Sequence, residues 1–273
     1  MTTMALFLGA CSSVKLLYTF ADDLVESQAE DHLLLDDDGE VHLRRQINAL
    51  FDWHRARAMP GYARYFRTQA KIVEQGAINR VTVAAAVKGL RRHLNELTVG
   101  AAPFIAAVLV EHRAPDNVAY LRKRMAEKLQ DRLDKLKQPL DKRIEQRVER
   151  IVENFERFTG DLKAPQRRII RRYASASVTD VKTRILNRGL RQRAFIDFMS
   201  RQPSETAIAV FVRQILLRPD EIVDPDYKAF SESRWSRFET LLFDVFSSLS
   251  PAQRIIFADA LREYSHDIND LSG

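Results

Sequence analysis

The sequence predicts an all-α fold: an extended multi-helix bundle of about nine to ten helices, with one long central helix kinked near Pro139. Three observations predict it. Glycine and proline number only 9 each in 273 residues, too few to punctuate many short strands. The good helix formers Arg, Leu, Ala, Glu, Gln and Lys dominate, and alternating β-branched runs are nearly absent. Apolar residues recur three and four apart along most of the chain, the period of a helix with one buried face.

Taken in order, residues 14–32 read as a first helix with Leu16, Leu17, Phe20, Leu24 and Val25 on one side. Asp36-Asp37-Asp38 form an acidic N-cap cluster. They open a second helix carrying Val41, Leu43, Ile47, Leu50, Phe51 and His54, which Pro60-Gly61 is expected to break. A third helix runs from Tyr62 to Glu74 and ends at Gly76. A fourth starts at Asn79 and carries Val83, Val87, Leu90 and Leu94. Gly100 and Pro103 are expected to interrupt before a short, wholly apolar core helix over residues 104–112.

From Pro115 to Thr159 one apolar stripe runs through Leu121, Met125, Leu129, Leu133, Leu136, Leu140, Ile144, Val148, Ile151, Phe155 and Phe158, with a mean step of about 3.7 residues. At about 1.5 Å per residue a continuous helix would reach roughly 65 Å. Pro139 lies inside it, and the unbroken phase of the stripe predicts a kink there. Further helices are predicted at residues 164–174, 178–201, 204–217, 227–247 and 251–271. Residues 11–273 read as a single helical domain with a soft division near 112–116, and no strand pair or linker interrupts it.

Charge is unevenly spread. The chain carries +6 overall, yet residues 111–218 alone carry +12 and residues 219–273 carry −6. Solvated helix faces explain most of this, because acids and bases alternate at helical spacing. A pairing of the basic middle with the acidic end, or a positive face for an anionic partner, are the other two readings.

The only cysteine, Cys11, excludes an intramolecular disulfide. It follows Leu8-Gly9-Ala10, and this stretch resembles a lipobox, the signal at which bacterial lipoproteins are cut and acylated. The resemblance implies membrane attachment through lipid on Cys11, with acyl burial contributing about 0.8 kcal/mol per CH₂. Residues 1–10 lack the basic start and full apolar core of a secretory signal, so they are expected to be a truncated one. Ser12, standing where the sorting pattern it resembles uses Asp for inner-membrane retention, implies an outer-membrane protein facing the periplasm. No other stretch reads as long and apolar enough to cross a bilayer.

Cys11-Ser12-Ser13-Val14-Lys15-Leu16-Leu17-Tyr18, then Leu35-Asp36, Trp53-His54-Arg55, Pro60 and Tyr62-Ala63 follow one another in a recognisable order. The order resembles an uncharacterised family of Gram-negative envelope lipoproteins, a lipoprotein domain of unknown function. Met59 replaces the leucine usual before the proline. That likeness implies location and fold and carries no reaction with it.

Two further segments, Leu162-Lys163-Ala164-Pro165-Gln166-Arg167 and Leu249-Ser250-Pro251-Ala252-Gln253-Arg254, share Leu-x-x-x-Gln-Arg at a helix start. A shared helix-start device explains them. They also resemble the Leu-Thr-x-x-Gln motif of Spy-like periplasmic chaperones, with Lys163 and Ser250 in place of threonine.

No catalytic constellation, cofactor motif or metal-ligand spacing stands out. The acidic run Asp36–Glu40 fails as a calcium loop, because Leu34 and Arg45 would fall at ligand positions. Trp53, His54 and Arg55 combine an apolar face, a titratable ring and a guanidinium fork. They fit either a packing joint or a ligand cluster.

The best binding candidates are Arg167, Arg168, Arg171 and Arg172, followed by Arg184, Arg188 and Arg191, at spacings that put several on one helix face. Pairing with the acidic C-terminal part is the competing reading. The sequence therefore predicts a non-catalytic, lipid-anchored binding or scaffolding protein. Its expected partners are membrane lipid through Cys11 and an anionic envelope component or protein client. The alternatives are a Spy-like chaperone and a cytosolic nucleic-acid binder, the latter poorly supported because aromatics do not interleave with the basic patch.

Overall fold

The computed structural model describes Lys15 and residues 18–273, so Cys11 and the residues before it lie outside the described part. Among the described residues every regular element is helical, and there are ten helical rods. These are α1 (Ala21–Glu30), α2 (Asp37–Trp53) continuing through a π turn (His54–Ala58) into α3 (Met59–Glu74), α4 (Arg80–Glu111), α5 (Pro115–Asp134) and α6 (Leu140–Thr159). They are followed by α7 (Ala164–Ser177), α8 (Asp180–Met199), α9 (Glu205–Leu217), α10 (Tyr227–Ser247) and α11 (Pro251–Ser272).

Local chemistry sets many of the boundaries. Asp36 accepts the Gly39 N–H at 2.9 Å to start α2. Asn79 and Thr82 form a reciprocal capping box at the start of α4. Ser204 caps α9 and Ser250 caps α11. Gly76 takes a positive φ of 64° where the chain turns from α3 towards α4, a conformation that costs glycine nothing.

Two packing centres organise the helices. In the first, Ala102 and Ala106 of α4, Leu121 of α5, Met199 of α8 and Ile208 of α9 pack together, all nearly inaccessible to solvent. In the second, Phe155 of α6, Ile170 of α7 and Val245 of α10 meet. Ala70 of α3 and Phe257 and Ala258 of α11 extend it. Small residues let α3 and α11 approach closely, and Ser265 donates a buried hydrogen bond to the Ala63 carbonyl at 2.7 Å. Helix α4 belongs to the first centre and also packs against α10.

The structure corrects four sequence expectations. Pro60-Gly61 does not break a helix. The π turn just before it widens the backbone, with the Met59 N–H reaching His54 O, so the proline ring avoids the carbonyl it would strike in a regular helix.

Gly100 and Pro103 do not divide α4 either. Tertiary packing keeps it continuous through both, with Ala102 and Ala106 fully buried beside them. Because it is continuous, α4 is long and apolar enough to cross a membrane by length and composition, contrary to the sequence reading. In the fold it packs against α2, α9 and α10.

The long helix does not kink at Pro139; it stops. α5 ends in a 3₁₀ turn over Lys135–Lys137. Gln138 and Pro139 are extended, and α6 starts afresh at Leu140. A residue before proline is pushed out of helical conformation, which ends the rod even though the apolar phase continues. The break sends α5 to the first packing centre and α6 to the second.

Finally, the helix expected over residues 14–32 is interrupted at Phe20, with Lys15, Tyr18 and Thr19 helical before it and α1 after it; Leu16 and Leu17 lie outside the described residues, and Phe20 and Leu24 stand exposed at 56% and 58%.

Candidate functional site

The arginines singled out in the sequence divide into two groups with different surroundings. On α7, Arg167 bonds Glu156 at 2.5 Å and Arg171 forms a two-pronged pair with Glu145, both acids belonging to the preceding helix α6. Arg168 and Arg172 are exposed. The expected stripe on α7 is therefore half neutralised. The neutralising acids come from α6, and none of the seven arginines pairs with residues 219–273 among the described residues.

Helix α8 behaves differently. Arg184, Arg188 and Arg191 have no ion-pair partner among the described residues. Two further arginines from other helices join them, Arg132 from the end of α5 and Arg234 from α10. Desolvation lowers the affinity of the Arg188 guanidinium for its proton, and the positive charges of Arg132, Arg191 and Arg184 lower it further. Burial does the same at Arg191. At Arg234, burial and then the charge of Arg184 act in the same direction. Arg188 thus feels the charges of Arg132, Arg191 and Arg184, and Arg234 feels that of Arg184, with Asp180 offsetting part of the effect at Arg234.

The spacing on α8 gives this cluster an inner edge. Arg188, Arg191, Gln192 and Phe195 fall at steps of three, one and three, on one face of the helix. All four line a cavity of about 310 Å³ whose other walls are apolar. Two atoms of these lining residues, the Arg191 Nε and the Gln192 Oε1, are buried without a hydrogen-bond partner. A buried unsatisfied donor costs about 1–3 kcal/mol, so these atoms are under strain that a bound group would relieve.

The second candidate cluster separates as the helix turns. Trp53 lies flat against the backbone of Gly100, where a Cβ would fall 1.8 Å from its Cζ2. It lines an open cleft of about 950 Å³ between α4 and α10, and the chain's other tryptophan, Trp235, lines the same cleft. The cleft's arginines are already engaged: Arg91 pairs with Glu232 at 2.5 Å and lies over the Trp235 ring, and Arg92 pairs with Glu96 at 3.7 Å.

The His54 ring stays beside Trp53, with 6.4 Å between ring centroids, and also reaches back to Tyr18 near the chain's beginning. Its Nδ1 meets the Tyr18 hydroxyl at 3.0 Å, and burial holds its pKa below the ordinary 6.5, with Arg55 adding to the effect. Arg55 bonds Asp52 at 2.5 Å. Nearby, Lys15 reaches Asp270 at 2.6 Å and the buried Asp267 at 3.5 Å. Tyr18 against His54 and Phe51, with Lys15 on Asp267 and Asp270, therefore forms a clamp that fixes the first described residues to the α2 end and to α11.

The glutamines of the repeated Leu-x-x-x-Gln-Arg segments also meet. Gln166 donates to the Gln253 Oε1 at 3.0 Å, and Gln253 donates back at 3.1 Å. Each Oε1 additionally accepts a backbone N–H at its own helix start, from Lys163 and Ser250. Each Nε2 additionally donates to a carbonyl from the other segment, Ser248 O and Asp161 O. Both side-chain amides are thereby saturated.

Sequence reasoning found three of the five clustered arginines and both glutamines. It missed Arg132, Arg234 and Trp235, whose approach depends on contacts between distant helices. The i, i+3, i+4, i+7 run from Arg188 to Phe195 was the available local signal for the cavity wall. The chain matches a family described as a family of unknown function (DUF6279) over residues 31–228. No curated protein and no solved structure matches it.

Proposed function

We propose that this chain, which belongs to the DUF6279 family of unknown function, is a lipid-anchored, non-catalytic envelope protein that binds an anionic partner through the α8 arginine cluster. The observation that carries the reading is that Arg184, Arg188 and Arg191 share α8 with no carboxylate bonded to any of them among the described residues, while the charges of Arg132 and Arg234 act on Arg188 and Arg184 from two other helices. Like charges gathered this way repel one another, and an anion that lies among them gains several charge-assisted hydrogen bonds at once.

The lipobox resemblance at Cys11 supports the anchor and the outer-membrane, periplasm-facing location. So does the clamp of Lys15 and Tyr18, which would hold the body of the protein close to an acylated Cys11. The exposed Phe20 and Leu24 lie on the same segment. The helix starts that resemble Spy-like chaperones are a weaker choice of binding face, since Gln166 and Gln253 are consumed by each other.

Two measurements test the proposal. Radiolabelled palmitate should enter the native protein and fail to enter Cys11→Ser; label retained by the variant contradicts the anchor. Fluorescence polarisation with a labelled short polyphosphate should show binding that weakens as salt rises. The triple variant Arg184→Ala/Arg188→Ala/Arg234→Ala should bind at least about tenfold more weakly, a difference of about 1.4 kcal/mol. Equal binding by variant and native protein contradicts the assignment of the cluster.

A further inference from the structure

The cavity beside the cluster narrows the choice of ligand, on the premise that the cluster binds anions. Its walls are the apolar side chains of Ile105 and Leu109 on α4, Met125 on α5, Phe195 on α8, and Val212 and Ile215 on α9. Its polar groups are Arg188, Arg191 and Gln192, all on the α8 wall. A second, almost wholly apolar cavity of about 300 Å³ shares the walls Ile105, Leu109, Met125 and Phe195 and reaches on towards Leu43 and Ile47 of α2.

A soluble phosphate would use the guanidinium groups and leave these apolar walls wet. A neutral hydrocarbon would fill the walls and leave Arg191 Nε without an acceptor. The Gln192 Oε1 adds a third requirement, because it needs a hydrogen-bond donor that neither a phosphate dianion nor an alkyl chain supplies.

We infer that this cavity is a binding site for a single-chain anionic phospholipid, with its acyl tail among the α4, α5, α8 and α9 side chains. Its phosphate lies on Arg188 and Arg191, and its free glycerol hydroxyl donates to Gln192 Oε1. One tail matches a pocket whose apolar walls come from four helices. The phosphate supplies the acceptor that Arg191 Nε lacks, and the glycerol hydroxyl supplies the donor that Gln192 Oε1 lacks. Arg132, Arg184 and Arg234 surround the headgroup at longer range and speed its capture.

The test is titration calorimetry of the native protein with lysophosphatidate below its micellar concentration, beside three probes. These are glycerol 3-phosphate, which has the headgroup without the tail; monopalmitoylglycerol, which has the tail and hydroxyl without the phosphate; and hexadecyl phosphate, which lacks the hydroxyl. Lysophosphatidate should bind tightest, and affinity should rise about fourfold per methylene added to short tails until the cavity is full. Arg191→Met should weaken lysophosphatidate at least about tenfold and leave monopalmitoylglycerol nearly unchanged. Gln192→Leu should erase the preference over hexadecyl phosphate.

Leu216→Trp, placed on the largely exposed residue at the cavity mouth, should block all three tailed probes with the helical circular dichroism spectrum intact. Affinity independent of tail length, or equal for monopalmitoylglycerol and lysophosphatidate, overturns the inference. If polyphosphate binding to the cluster persists in that case, the proposed anion-binding role stands and only the lipid assignment falls. If polyphosphate binding is also absent, both fall.

Discussion

Two buried polar assemblies in this bundle differ in how completely their atoms are satisfied. Where α7 and α11 begin, Gln166 and Gln253 use every donor and acceptor they possess, on each other and on backbone groups. On α8, Arg191 and Gln192 each leave a buried atom without a partner, and both line a cavity. Leucine flanks the first assembly on both segments, with Leu162 and Leu249 buried. Like charge and apolar walls surround the second. A saturated polar network fixes a structure, since nothing can be added to it. An unsaturated one beside an opening retains unmet hydrogen-bonding capacity, which is what a ligand needs.

The largest expected effect breaks the first assembly. Gln166→Ala should lower the free energy of unfolding by about 3 kcal/mol, because it strands the Gln253 amide and the Lys163 N–H in a buried setting. Gln253→Ala should cost a similar amount. The double variant should lose less than the sum, by about 1–2 kcal/mol, if the two act as one unit. Denaturant unfolding measures all three, and strict additivity would show that the glutamines act independently.

Gly100→Ala comes next. The new methyl would collide with the Trp53 ring, which must move at a cost of about 2 kcal/mol, and tryptophan emission should shift with it. That outcome sharpens the contrast by marking Trp53 as a packing joint. Unchanged emission and stability would return it to the list of ligand contacts.

A smaller effect follows pH. His54 has a folded pKa below its unfolded value of about 6.5, so the unfolded chain takes up the proton first as pH falls. The stability due to neutral His54 is complete above pH about 6.5 and is lost as pH drops through the folded value. His54→Phe should flatten this part of the stability–pH curve. A slope unchanged in the variant would place the titration elsewhere.

Much of the architecture was legible because helix periodicity and end chemistry are local. Tyr227, Pro251 and the capping residues Asn79, Ser204 and Ser250 fall where the sequence puts helix starts. The prolines misled for a nonlocal reason. Pro103 is tolerated because neighbouring helices hold α4 on either side, and Pro60 because a π turn precedes it. Pro139 breaks the rod because α5 and α6 find different partners, which no stripe in a single helix records.

The site was legible to the same extent. Arg184, Arg188 and Arg191 share one helix and can be seen in sequence. Arg132 and Arg234 join them across 52 and 50 positions from Arg184, and only the fold brings them there. The repeated Leu-x-x-x-Gln-Arg was visible as a pattern, while its meaning, two amides bonding each other across 87 residues, was not.

The most direct measurement places the same side chain in both assemblies and compares unfolding free energies of Gln166→Met and Arg191→Met without ligand. Methionine is apolar and flexible enough to fill either space. A loss of about 3 kcal/mol at position 166, with no loss or a gain at position 191, is the expected pair of results, because only the second change removes a charge that the fold leaves unpaired. Equal losses at the two positions would mean that Arg191 holds the fold together as Gln166 does, and would contradict its assignment to a ligand.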